Sequence, residues 1–217
     1  MARAPAAQRQ RQDPEDRAEV GVRGERVTAA APLIVGLGGT TREGSSTERA
    51  LCAALATAEA QGARTRLVGG AFLAELPIYD PRPGGPTARQ AELAELVRSA
   101  DGLILATPGY HGSLSGVMKN ALDTLELLRE DPRPYFTDRA VGVIVTAAGS
   151  QAAGTTLTAV RSIVHAMRGW PTPFGAAMSV SSASFGPDGR PLEDRDAWQL
   201  DTVAGQVVQF AKMRLQS

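Results

Sequence analysis

A second cysteine is missing from this 217-residue chain, so Cys52 has no partner for an internal disulfide and a reducing compartment suits it. An excess of charge is missing too: 23 basic residues balance 23 acidic ones, and no net field draws the molecule towards nucleic acid or an anionic membrane. No apolar run approaches the ~18 residues of a membrane span. The opening stretch, MARAPAAQRQRQDPEDRAEVGVRGERVTA, has no continuous apolar core of about 7 to 15 residues, as a secretory signal would need. Asp13, Glu15, Asp16 and Glu19 argue against a transit peptide. A cytoplasmic protein is therefore expected. Residues 1–31 are expected to form a disordered tail, too poor in apolar surface to offset the entropy of ordering. Cys52, within LCAALA, reads as a buried structural thiol.

The full chain is 43% hydrophobic, enough for a sizeable core, and what remains, residues 32–217, reads as one domain. Four β-type runs stand out: PLIVGLG (32–38), TRLVGG (65–70), GLILAT (102–107) and AVGVIVTA (140–147), with FGAAMSV (174–180) as a weaker fifth. They are nearly continuous in Leu, Ile and Val, the pattern of strands buried on both faces. Helical patterns lie between and after them: 47–61, 87–99, 114–129, a stretch through Leu157, Val160, Ile163, Val164 and Met167 that Gly169 ends, and one through Leu200, Val203, Val207 and Ala211. His165 lies inside the fourth and is expected to be structural. This alternation predicts an α/β three-layer sandwich around a parallel sheet. The segments 77–86 and 181–191 read as Pro- and Gly-rich loops.

In such sheets ligands bind beyond the carboxyl ends of the strands, and the first strand runs into GGTTREGSST (38–47). A dinucleotide fingerprint fails because Thr41 stands where the third glycine belongs. A P-loop fails because Ser45 occupies the lysine position. The remaining ligand is a single terminal phosphate, held by helix-start N–H groups, the hydroxyls of Thr40, Ser45, Ser46 and Thr47, and the Arg42 guanidinium. The alternative is a plain N-cap beside a solvated arginine. After the third strand comes TPGYHGSLSGVMKNALD (107–123), which would share a rim with the first loop in a 2-1-3-4-5 strand order. A phosphate cradle beside a glycine-rich aromatic loop suits a flat ring with a phosphorylated tail, the shape of flavin mononucleotide (FMN).

With these motifs the chain resembles the NADPH-dependent FMN reductases of the flavodoxin-like superfamily. Their phosphate pattern G-S-x-R-x-x-S is met by Gly39 to Ser45 with Thr40 for Ser, and their P-x-Y-x-G-S then K-N-A-L-D by Pro108, Tyr110, Gly112, Ser113 and Lys119 to Asp123. The likeness covers roughly residues 32 to 180; His111 replaces a common Asn, and TAAGSQAAG (146–154) is poorer in glycine than the usual fourth loop. The resemblance implies a flavodoxin-like, five-stranded parallel sheet in the order 2-1-3-4-5, binding FMN and NADPH or NADH. It implies that Thr40, Arg42, Ser45, Ser46 and Thr47 hold the phosphate and that Pro108, Gly109, Tyr110, His111, Gly112 and Ser113 lie along the isoalloxazine. Gly149, Ser150 and Gln151 would approach the ring's pyrimidine edge, with Lys119, Asn120 and Asp123 supporting the site or a subunit contact.

The implied activity is hydride transfer from NAD(P)H to FMN, with reduced flavin supplied to a partner monooxygenase. A retained FMN that reduces quinones or azo dyes, and a flavodoxin-like electron carrier, are the alternatives. Hydride passes directly between the two rings, so no catalytic acid, base or nucleophile is expected. HGSLSG misses a serine-nucleophile elbow because Leu114 stands at its centre. No metal site is expected. The resemblance also implies a homodimer or tetramer; the apolar loop ELPIYD (75–80) and the fourth helix with its PTPFG exit (171–175) are candidate contact surface.

Overall fold

The computed structural model describes residues 30–82 and 84–216, so the expected N-terminal tail lies almost wholly outside the described residues. The sheet is built from β1 (Leu33–Gly38), β2 (Arg64–Val68), β3 (Gly102–Pro108), β4 (Ala140–Ala147), β5 (Trp170–Pro171) and β6 (Ala176–Ser179). All pairings are parallel, in the order β2-β1-β3-β4-β5, with β6 also paired to β4. The expected five positions are present. The fifth is divided, however: β5 lies beside Ala140 and Val141, and β6 beside Ile144 to Ala147. Pro171 and Pro173 punctuate this edge, where a continuous donor row is impossible.

The helices are α1 (Ser46–Ala60), α2 (Gly70–Ala74), α3 (Ala88–Ser99), α4 (Gly116–Thr124), α5 (Ser150–Ala166) and α6 (Asp194–Leu215). α2, only five residues long, was not anticipated. The third expected helix begins later, at the Ser115 cap, and tightens into a 3₁₀ turn over Leu125–Leu128. The strands' odd and even residues feed two separate cores. Val35, Leu37, Leu103, Leu105, Val141, Val143 and Val145 pack with α3, α4 and α5, while Ile34, Ile104, Ala106 and Ile144 pack with α1 and α6. Burial on both faces explains why the strands read as continuous apolar runs. β2 is the other edge, and its Arg64 and Arg66 are exposed.

Two expectations about single residues are corrected. Cys52 is exposed: α1 turns Ala50, Leu51, Ala54, Leu55 and Ala58 inward, and position 52 falls off that stripe. Neighbouring protein still desolvates the thiol and, with the Glu48 carboxylate, raises its pKa. His165 is exposed rather than packed within the core, because α5 buries Ala153, Thr156, Val160 and Val164 instead.

The end of the sheet opposite the carboxyl ends is fastened by Arg139, which is fully buried and has no carboxylate partner among the described residues. Its guanidinium donates to the carbonyls of Ala100, Tyr135 and Arg98, each at 2.8 Å. Burial, reinforced by the nearby Arg133, pushes its pKa down to about 10. The loops that form the candidate site are thus left to the other rim.

Candidate flavin site

A cleft of about 490 Å³ opens beyond the carboxyl ends of β1, β3 and β4. Thr40, Thr41, Arg42, Ser45, Ser46 and Thr47 form one wall, and Pro108, Gly109 and Tyr110 another. Thr146, Ala147, Ala148 and Val180 complete it. Arg42 is the only charged side chain in the lining. It is exposed and forms no ion pair among the described residues.

The β1–α1 loop is held from several sides. Ser45 caps α1 by accepting from the Glu48 amide at 3.2 Å, and the Glu48 carboxylate accepts from the Gly44 amide at 2.8 Å. Arg49 Nε donates to the Gly44 carbonyl at 3.1 Å. Gly44 has φ +63°, which a side chain would disfavour. The amides of Ser46 and Thr47, in the first turn of α1, have no intrahelical acceptor and carry the positive end of the helix dipole. The loop also rests on Gly70, where any Cβ would overlap the Thr40 carbonyl. That contact, from the residue opening α2, brings the β2 end under the loop.

The β3–α4 loop is tied to the first loop. Ser115 Oγ, the N-cap of α4, donates to the Gly39 carbonyl and accepts from the Met118 amide at 3.3 Å. The Ser115 amide donates to Thr107 Oγ1 at 3.0 Å, and the Gly39 amide donates to the Ala106 carbonyl at 2.6 Å. Tyr110 and Ser113 exchange backbone hydrogen bonds of 2.9 and 3.0 Å around His111 (φ +52°) and Gly112 (φ +81°). Two consecutive positive φ values mark a tight I′-type turn. It projects His111 and Ser113 to the surface and leaves Tyr110 57% exposed at the mouth.

Of the anticipated residues, Thr40, Arg42, Ser45, Ser46, Thr47, Pro108, Gly109 and Tyr110 converge on the cleft. His111, Gly112 and Ser113 form the turn beyond its edge. Gly149, Ser150 and Gln151 are exposed at the start of α5 and lie outside the lining, where Thr146, Ala147 and Ala148 stand instead. Thr146 was missed, although a hydroxyl closing an apolar strand is a readable signal. Val180 was missed because only the fold carries the β6 end here. Among the described residues no group of His, Cys, Asp and Glu is placed to hold a metal ion, and no helix is long and apolar enough to cross a membrane.

Asn120 does not reach the cleft. Buried on α4, it accepts from the Tyr79 amide at 2.8 Å and donates to the carbonyls of Pro77 and Leu76 at 3.0 and 3.4 Å, pinning the ELPIYD segment. Lys119 and Asp123 pair with each other one turn apart, at 2.7 Å.

An FMN-dependent NADPH-azoreductase of Staphylococcus aureus is 35% identical over 121 residues, which is 55% of this chain and 61% of that protein. The chain thus spans about three-fifths of the length of the curated relatives it matches. Among solved structures, FerB, a flavoenzyme NAD(P)H:(acceptor) oxidoreductase from Paracoccus denitrificans, superposes with a TM-score of 0.69 at 18% identity, covering 84% of this chain and 98% of that one. The apo form of the NADH:FMN oxidoreductase EmoB gives 0.65 at 24%, covering 84% and 90%. These two share the fold. A family model described as NADPH-dependent FMN reductase matches residues 32–184, taking in the whole sheet and both loops of the cleft, and the chain belongs to that family.

Proposed function

We propose that the protein is an NAD(P)H-dependent flavin oxidoreductase that holds FMN in this cleft. The observation that carries the reading is the polarity of the cleft. Its single charged side chain, Arg42, stands with the α1 N-terminus and a cluster of hydroxyls at one wall, facing a loop that presents backbone and an aromatic ring at the other.

The residues fit the cofactor on chemical grounds. A phosphate dianion needs donors that are not already spent, and the first-turn amides of α1 and the Arg42 guanidinium supply them. A flat ring needs a wall without projecting side chains, and Pro108 and Gly109 supply one. Gly109 is confined from behind: a Cβ there would stand 3.0 Å from Thr156 Oγ1 and 3.2 Å from the Ala152 carbonyl oxygen. In this reading Arg42, Ser45, Ser46 and Thr47 hold the phosphate with Thr40 beside them, and Pro108 to Tyr110 line the ring.

When bound, FMN supplies an acceptor for hydride from the nicotinamide and a donor to the next acceptor. The protein's part is to bind and orient. The cleft lining has no carboxylate or imidazole, in keeping with a reaction that asks for two aligned rings and no general acid or base. Tyr110, at the mouth, covers the edge by which a second ring enters.

Two fates for the reduced flavin remain in the proposal. One is release to a partner monooxygenase. The other, direct reduction of azo or quinone acceptors by retained FMN, is favoured by the azoreductase relatives. The visible spectrum of the purified full-length chain, followed by anaerobic NADPH oxidation with FMN, FAD, a quinone and an azo dye in turn, separates them. FMN-dependent NADPH oxidation is the expected result, and its absence overturns the reading. A homodimer, or a tetramer built from dimers, is part of the same proposal. Ile78 in the ELPIYD segment, 81% exposed, and the exposed Trp170 beside PTPFG offer apolar surface for it.

A further inference from the structure

The hydroxyls of α5 do not behave alike. Thr155 donates to the Gln151 carbonyl at 2.9 Å, Thr158 to Gly154 at 3.1 Å and Ser162 to Thr158 at 3.1 Å, each the ordinary bond to the preceding turn. All three are exposed, so water would serve them as well. Thr156 is fully buried, and its Oγ1 has no hydrogen-bond partner. Its hydroxyl does not make the bond to the carbonyl one turn back, that of Ala152, which its three neighbours make to theirs. A buried hydroxyl without a bond is a cost that native structures seldom leave in place without a reason.

Thr156 Oγ1 faces Gly109, where any Cβ would stand only 3.0 Å from it. Gly109 lines the cleft with its other side. Its amide is already committed to the Thr146 carbonyl at 2.8 Å, whereas its carbonyl accepts no hydrogen bond among the described residues. An unused buried donor thus stands against the backbone of a residue whose carbonyl is unused and which has no side chain to hinder a small rotation of the peptide it shares with Tyr110.

We propose that Thr156 is a positioning residue for flavin binding: when the ring seats against Pro108 to Tyr110, its hydroxyl donates to the Gly109 carbonyl and fixes the loop from behind. The proposal rests on the FMN reading of the cleft. It supplies the ligand with a differential interaction, since the hydroxyl is unsatisfied in the free protein and satisfied in the complex. Because the bond is made behind the ring, its loss affects flavins with and without phosphate alike.

Thr156→Val keeps the shape and removes the hydroxyl, while Thr156→Ser keeps the hydroxyl. In the full-length chain, Thr156→Val is expected to raise the melting temperature of the flavin-free protein yet weaken FMN and riboflavin equally, by about tenfold. Thr156→Ser should bind both like the wild type. A merely structural threonine would move stability and affinity in the same direction. Unchanged affinity for both flavins in Thr156→Val overturns the proposal, as does a joint loss of stability and affinity that Thr156→Ser does not rescue. Wild-type protein that binds neither flavin overturns the reading of the cleft itself, and the proposal with it, before any substitution is made.

Discussion

The hydroxyls of Thr47, in the first turn of α1, and Thr146, near the end of β4, lie 2.7 Å apart in a buried contact that spans 99 residues of sequence. This bond joins α1 to the strand that floors the cleft. A hydroxyl donates once and accepts twice, whereas a phosphate oxygen only accepts. Either hydroxyl can donate in this pair, and when Thr146 does so the Thr47 proton is free to point into the cleft.

Thr146→Val removes the partner that sets this direction. It is expected to lower stability by about 1 kcal/mol and FMN affinity by up to about tenfold, with riboflavin affinity less affected. Chemical denaturation and fluorescence titration read the two effects. Unchanged FMN affinity would show that the Thr47 hydroxyl is not used by the ligand.

Asn120→Ala deletes three bonds that hold residues 76–79 and leaves their backbone groups short of partners. A loss of about 2 to 3 kcal/mol is expected from the shift in the urea midpoint. A change within about 0.5 kcal/mol would mean that water takes over the bonds and that the pin is dispensable.

Cys52 is exposed, but its pKa is raised first by desolvation and then by the Glu48 charge. Since the thiolate is the reactive form, alkylation by iodoacetamide at pH 8 should be slower than that of a free thiol in a peptide. Glu48→Gln should speed it, while the amide oxygen still serves Gly44. A rate equal to the peptide's would contradict the shift.

The alternation of strands and helices was legible because both faces of the parallel strands are buried, which writes each as a short apolar block. Thr40 to Thr47 and Pro108 to Tyr110 were legible as cleft lining because stretches rich in glycine and hydroxyls directly after such blocks mark the strand-to-helix loops on the carboxyl rim. Thr146 and Val180 were not, since their place in the cleft depends on which strand ends the sheet order brings together. The expected contact at Gly149 to Gln151 fell just beyond the strand end that lines the cleft. The divided edge was hidden because Trp170–Pro171 is too short to carry any periodicity. Cys52 misled because the Ala- and Leu-rich composition of α1 extends round more of the helix than its buried stripe does.

The most direct measurement is the affinity of wild type and Arg42→Ala for FMN and for riboflavin, which has the same ring without the phosphate. Loss of a charge-assisted hydrogen bond worth roughly 1.5 to 3 kcal/mol should weaken FMN about ten- to a hundredfold. Riboflavin binding should barely change, and added salt should weaken wild-type FMN binding more than riboflavin binding, because the guanidinium is exposed. Equal losses for both ligands, or no loss for either, would contradict a phosphate held by Arg42 at the start of α1.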